Sequence, residues 1–159
     1  MKYLCIDPSG SGITGLAYYE ESKNKWEFTQ IQSANWEEHF VFILNYCRQK
    51  EVEIIIYEST NYISLTNRSK HMTSLFKLFG AIESLKYMMP QIKECQTVLV
   101  GLVKALYKKI YHKKVEIKNL NYKAGRGGGW LYDNQRLSLH QLDAFLLYQL
   151  AKNTPLKPK

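Results

Sequence analysis

Four side chains able to bind a hard cation are spread over almost the whole chain: Asp7, Glu58, His140 and Asp143. Asp7 closes the apolar run Tyr3-Leu4-Cys5-Ile6, and Glu58 closes Ile54-Ile55-Ile56-Tyr57. His140 and Asp143 stand three apart in a helical pattern, so they share one helix face. A carboxylate at the end of a buried strand needs a partner, because an unpaired charge is costly to desolvate. Taken singly, Asp7 reads equally as a turn residue before Pro8, Glu58 as a solvated strand end, and His140–Asp143 as a helix-surface pair. Taken jointly, three carboxylates and an imidazole brought together repel or desolvate one another unless a cation joins them. Such a set suits Mg²⁺, with Mn²⁺ as a substitute. Two such ions, about 4 Å apart, are the working parts of a phosphodiester hydrolase.

These residues can meet only if the elements between them fold to bring them together. Residues 2–7 read as a strand, Asp7 to Gly12 as a turn, and 13–20 as a second strand. A polar turn over 22–25 leads to a third strand, 26–32, so the chain opens as an antiparallel meander. Trp36, Phe40, Ile43, Leu44 and Cys47 recur at helical spacing and predict a helix over 36–50. Residues 52–58 read as a short central strand and 60–65 as a loop. A long amphipathic helix over 67–88 is stopped by Pro90. A fifth strand over 92–97 and a lysine-rich helix over 98–111 follow. Residues 113–136 are basic and rich in Asn and Gly, and read as loop. Ser138 and Gln141 fit a capping box opening a last helix over 139–152. The expected architecture is α/β: a five-stranded mixed sheet, a three-strand meander plus parallel strands, flanked by helices. Residues 1–154 read as one domain and 155–159 as a frayed tail.

Composition narrows the partners. Lys+Arg number 22 against 14 Asp+Glu, a net charge of +8 that favours a polyanion. Lys104, Lys108, Lys109, Lys113, Lys114, Lys118, Lys123 and Arg126 cluster, with Tyr107, Tyr111, Tyr122 and Trp130 interleaved. Lysines that neutralise phosphates and aromatics that stack on bases make a nucleic-acid surface. A solvated helix face is the bland alternative for such a charge run. Gly125-Arg126-Gly127-Gly128-Gly129 reads as a flexible segment able to close over a bound phosphate.

Other classes are disfavoured. No secretory signal and no membrane-spanning run is evident, so a cytoplasmic protein with no membrane partner is expected. Cys5, Cys47 and Cys95 match neither a disulfide framework nor a zinc motif. Gly10-Ser11-Gly12-Ile13-Thr14-Gly15 matches G-x-G-x-x-G, but a strand-like segment follows where a helix is required. No Gly-Lys-Ser/Thr is present, so no nucleotide cofactor is expected. The glycines are expected to form a tight turn that leaves Asp7 uncrowded.

The order of these elements resembles the RNase H-like fold and, more narrowly, the RuvC-type Holliday junction resolvases, with the small phage-encoded branch most similar. The resemblance is carried by Cys5-Ile6-Asp7-Pro8-Ser9 with its glycine-rich turn, by Ile55-Ile56-Tyr57-Glu58, by Leu78-Phe79-Gly80-Ala81, and by His140-Gln141-Leu142-Asp143-Ala144. It implies that Asp7, Glu58, His140 and Asp143 are the metal ligands of a junction endonuclease. It also implies four-way DNA as substrate, ligatable 5′-phosphate and 3′-hydroxyl nicks, and a C2 homodimer with one site per strand. Tyr62, four residues beyond Glu58, is the candidate for the family's aromatic near the junction centre. Helix 67–88, with Met72, Leu75, Phe76, Phe79 and Ile82, is the candidate dimer interface, packing on its own sheet being the alternative. The alternatives in function are an RNase H-like or flap nuclease of the same fold, and a non-catalytic nucleic-acid-binding module.

Overall fold

The computed structural model describes residues 1–60 and 70–153. Three strands open the chain: β1 (Lys2–Asp7), β2 (Ile13–Glu20) and β3 (Lys25–Gln32). β1 pairs antiparallel with β2, and β2 with β3. Helix α1 (Trp36–Lys50) carries the chain back, so that β4 (Ile54–Ser59) lies parallel to β1. After α2 (Lys70–Met88), β5 (Glu94–Leu99) adds parallel to β4. The sheet order is β3-β2-β1-β4-β5, the mixed sheet the sequence leads one to expect. Helices α3 (Val100–Tyr111) and α4 (Leu139–Asn153) follow.

β1 and β4 are central and covered on both faces, which is why each is an unbroken apolar run. Their alternate side chains feed two separate cores. Leu4, Ile6, Ile55 and Tyr57 pack with Ile43 and Cys47 of α1 and with Leu78 and Ile82 of α2. Cys5, Ile54 and Ile56 pack with Val103 of α3 and with Leu142 and Phe145 of α4. Asp7 continues the series of Cys5, and Glu58 that of Ile54 and Ile56, so both belong to the α4 face. A register slip of one residue would turn either strand's acid to the opposite face.

Two glycines admit helices to this sheet end. Gly15 lies opposite Asp7 in the β1–β2 ladder, and a Cβ there would collide with the backbone of His140 and Gln141. A Cβ on Gly10 would collide with the backbone of Ser74 and Leu75 on α2. The glycine-rich segment therefore does more than relax a turn: it lets α2 and α4 approach backbone to backbone.

The largest departure from expectation is at 113–136. In place of a loop stands a second antiparallel sheet of β6 (Leu120–Lys123), β7 (Gly129–Tyr132) and β8 (Gln135–Leu137). Asp133 (φ 46°) and Asn134 (φ 66°) form the two-residue left-handed turn that suits a tight hairpin. Leu120, Trp130 and Leu137 anchor the small sheet in the α3/α4 core. The segment Gly125–Gly129 is the end of the β6–β7 hairpin, closed by Gly128 N–H donating to Gly125 O at 2.9 Å, and so is not a free flap. Two boundaries also move. β5 and α3 each begin two residues later than the apolar pattern suggests, because Ile92 is buried in the preceding turn with its N–H on Met89 O.

In α2, Leu78, Ile82 and Leu85 are fully buried against the chain's own sheet, and Phe79 packs on the same core. Ile82 and Phe79 are thereby withdrawn from the dimer face expected of them, while Phe76 stays exposed. Tyr62 and the tail 155–159 lie outside the described residues.

Candidate active site

β1 and β4 run side by side, with Cys5 opposite Ile56 and Ile6 opposite Tyr57. Asp7 and Glu58 come next on adjacent strands, at their carboxyl ends. That is where parallel α/β sheets carry their sites, because the strands stop there and loops open outward. The first turn of α4 is fixed over this point by its capping box. Gln141 N–H donates to Ser138 Oγ at 3.1 Å, and Ser138 N–H donates to Gln141 Oε1 at 2.9 Å. Ser138 Oγ–H also reaches Gln30 Oε1 on β3 at 2.6 Å, tying the helix start to the edge of the sheet. Behind it, Leu142, Phe145 and Leu146 are buried and hold the helix down. His140 Nδ1 then lies 2.8 Å from Asp7 Oδ2. The structure thus brings together residues 133 positions apart in the chain.

The electrostatics are those of acids forced together. Burial raises Asp7 above the usual carboxylate range, and the hydrogen bond from His140 works against that rise. Burial first, then the charges of Asp7 and Asp143, pushes Glu58 up to about 7. Asp143 is pushed up to about 6 by burial and by Asp7. His140 is raised mainly by its hydrogen bond to Asp7. Lys104 on α3 opposes the rise of both Glu58 and Asp143, so its ammonium lies within electrostatic reach of the acids.

Among the described residues, no three His, Cys, Asp or Glu side chains stand at metal-holding spacing. Asp7 is engaged with His140, and repulsion among carboxylates opposes a closer approach. The donor chemistry nevertheless fits a hard divalent cation. The set holds three carboxylates, one imidazole and no thiolate, and each carboxylate is raised by burial or by like charge, conditions a cation relieves.

The basic residues divide. Lys104 borders the acids, while Lys108 and Lys109 are exposed further along α3. Lys113, Lys114 and Lys118 lie between α3 and β6, Lys123 on β6, and Arg126 in the hairpin end. All are exposed, and none forms an ion pair among the described residues. Two residues escape the sequence reading. Arg136 on β8 adds an exposed guanidinium whose Nε and Nη2 lie over Gly129. His71, in the first turn of α2, is hydrogen-bonded to Ser11 Oγ in the β1–β2 turn. A count of charge would have found Arg136, whereas nothing local marks His71.

No family model matches this chain, and no curated protein sequence does. Solved structures do. Thermus thermophilus RuvC in complex with Holliday junction substrate is similar with a TM-score of 0.58 and 13% identity, over 92% of this chain and 89% of that one. A second Thermus thermophilus RuvC structure gives 0.52 and 12%, over 92% and 90%. Likeness at this identity is likeness of fold. Sheet order, mixed strand directions and helix layers agree, and the chain has the RuvC-like, RNase H-type α/β fold.

Proposed function

We propose that this chain is a divalent-metal-dependent endonuclease that resolves four-way DNA junctions by paired symmetric nicks. The observation that carries the reading is the hydrogen bond of His140 to Asp7 at one end of a RuvC-like sheet, with Glu58 and Asp143 within electrostatic reach of Asp7. The similar RuvC bound to a Holliday junction supports the choice of substrate. Asp7, Glu58, His140 and Asp143 would hold Mg²⁺ or Mn²⁺, and ions bound there supply Lewis-acid stabilisation of charge on the phosphate and acidify water. The chain itself supplies the arrangement. By accepting the Nδ1 proton of His140, Asp7 fixes the tautomer and leaves Nε2 with a free lone pair. Glu58 and Asp143, raised to about 7 and about 6, can exchange a proton for a cation close to neutral pH. Lys104 adds positive charge where the attacked phosphate must gain negative charge. The unpaired lysines of α3 and the small sheet would hold flanking phosphates.

Two opposed cuts call for two sites, and a C2 homodimer matches the junction's symmetry. Phe76, Tyr87 and Met88 of α2 are exposed, and Gly80 on the same helix has open space around it. This face is the proposed contact. A monomer by light scattering at micromolar concentration would remove it.

The test of substrate is cleavage with Mg²⁺ of a labelled four-way junction, a plain duplex, a flapped duplex and an RNA–DNA hybrid. Paired symmetric nicks confined to the junction are expected. Cutting confined to the hybrid would move the assignment to an RNase H activity, and binding without cutting would leave a nucleic-acid-binding module.

A further inference from the structure

An aromatic cluster on the small sheet has no part in the chemistry above. Tyr122 of β6 pairs with Trp130 of β7, their ring centroids 5.2 Å apart. Tyr107 and Tyr111 of α3 complete the group, at 5.7 Å from Trp130 and 5.6 Å from Tyr122. Rings that served only as core would be covered, yet Tyr111 is 50% and Tyr122 51% exposed. Trp130 is only 5% exposed, and its Nε1–H has no acceptor among the described residues. A buried indole N–H ordinarily finds one.

A pocket of about 600 Å³ opens beside these rings, lined by Tyr107, Tyr122, Trp130, Arg136 and Leu139. Ser138 and Leu139 also line it, and they lead into the first turn of α4, the helix that carries His140 and Asp143. Arg136 lines the pocket, and the exposed Lys108 and Lys123 lie on the same two elements as the rings, α3 and β6. None of these has an ion-pair partner among the described residues.

We infer that this pocket receives an unpaired nucleobase from the strand being cut, stacked against Tyr122 and Tyr107. Lys123, Lys108 and Arg136 hold the neighbouring phosphates. Half-exposed rings offer a flat surface that any base can stack on, and the flanking cations match the backbone that accompanies a base. Bases inside duplex DNA are already stacked, so only a base freed at a branch point or in a single strand can enter. The pocket would thus select opened DNA. This deepens the proposed function and rests on its reading of DNA as the substrate.

The test uses the full chain in EDTA, which prevents cutting, with a single strand carrying one 2-aminopurine and a duplex carrying the same base. Wild-type protein should quench the fluorescence in the single strand and leave the duplex unquenched. Tyr122→Ala should weaken single-strand binding about tenfold and lose the quenching, while Tyr122→Phe keeps both. The salt dependence of binding should be the same for Tyr122→Ala as for wild type, since no phosphate contact is removed. Unchanged affinity and quenching in Tyr122→Ala would overturn the inference. Failure of this pocket is distinguishable from failure of the nuclease reading. Junction cleavage without quenching removes the pocket and keeps the nuclease, whereas quenching without cleavage does the reverse.

Discussion

Residues 100–137 carry nine Lys and Arg against two acids, while the rest of the chain carries thirteen against twelve, so seven of the eight net charges lie on α3 and the small sheet. The two regions also handle their lysines differently. Around β1, β3 and α1 the lysines are matched: Lys2 with Glu51 at 2.8 Å, Lys50 with Glu27 at 2.5 Å, and Lys93 with Glu53 at 2.5 Å. Such surface pairs add little stability, but they cancel one another's field. On α3 and the small sheet no Lys or Arg forms an ion pair among the described residues, and the positive field stands beside a half-buried set of acids. One region is electrostatically closed, and the other keeps an uncompensated positive field of the kind the proposed DNA substrate would meet.

The sharpest way to break this comparison is to separate chemistry from binding. Asp7→Asn should lower junction cleavage on the order of 10³-fold or more while binding to the junction persists, as read by single-turnover cutting and by gel shift. Gly15→Ala comes next. Its methyl group would meet the backbone of His140 and Gln141, so α4 must lift from β2. A loss of roughly 2–3 kcal/mol in urea unfolding is expected, with cleavage falling even at temperatures where the variant is folded.

Replacing Lys108, Lys109 and Lys123 together by Ala should weaken junction binding and reduce the slope of log affinity against log salt by roughly one per lysine in contact with phosphate. The same change at Lys2 and Lys93, whose charges are already matched, should leave that slope unaltered. Equal effects in the two regions would end the distinction between them.

The smallest effect concerns pH. Glu58 and Asp143 are raised, so the folded chain holds their protons more tightly than the unfolded chain does. Metal-free protein should therefore lose stability as pH rises from about 4 through about 7. His140, also raised, contributes in the same direction, its share being lost as pH rises through its folded value. Glu58→Gln should then stabilise the metal-free protein by about 1 kcal/mol above neutrality, a figure discounted for partial exposure, and by nothing near pH 4. Thermal melts in EDTA at the two pH values check this. Cleavage should show the opposite trend and fall as pH drops below about 6–7, because acids raised to about 6 and about 7 must lose their protons to bind a cation.

The candidate acid set was readable from the sequence as an expectation because its members sit at or beside local boundaries. Asp7 and Glu58 end apolar runs, and the Ser138–Gln141 capping box announces the helix that carries His140 and Asp143. The bounds of α1 were legible too, since one uninterrupted apolar stripe spans it. The small sheet was hidden because its strands are three or four residues long, too short for alternation to register. Its one clear signal, Asp133-Asn134 between Tyr132 and Gln135, is a left-handed turn pair set in an otherwise polar stretch. The tasks of Gly10 and Gly15 were invisible for a different reason. They depend on helices that arrive from residues 74–75 and 140–141, a tertiary fact without local trace.

The most direct test is a titration of labelled four-way junction against wild type, Asp7→Asn and the Lys108/Lys109/Lys123 triple alanine variant, with Mg²⁺, recording bound and cut fractions together. The account predicts that Asp7→Asn binds as wild type does and does not cut. It also predicts that the triple variant cuts at the wild-type rate once saturated but needs far more protein to saturate. Cutting by Asp7→Asn, or a triple variant that binds normally and cuts slowly, would contradict the division of labour between acid cluster and basic surface.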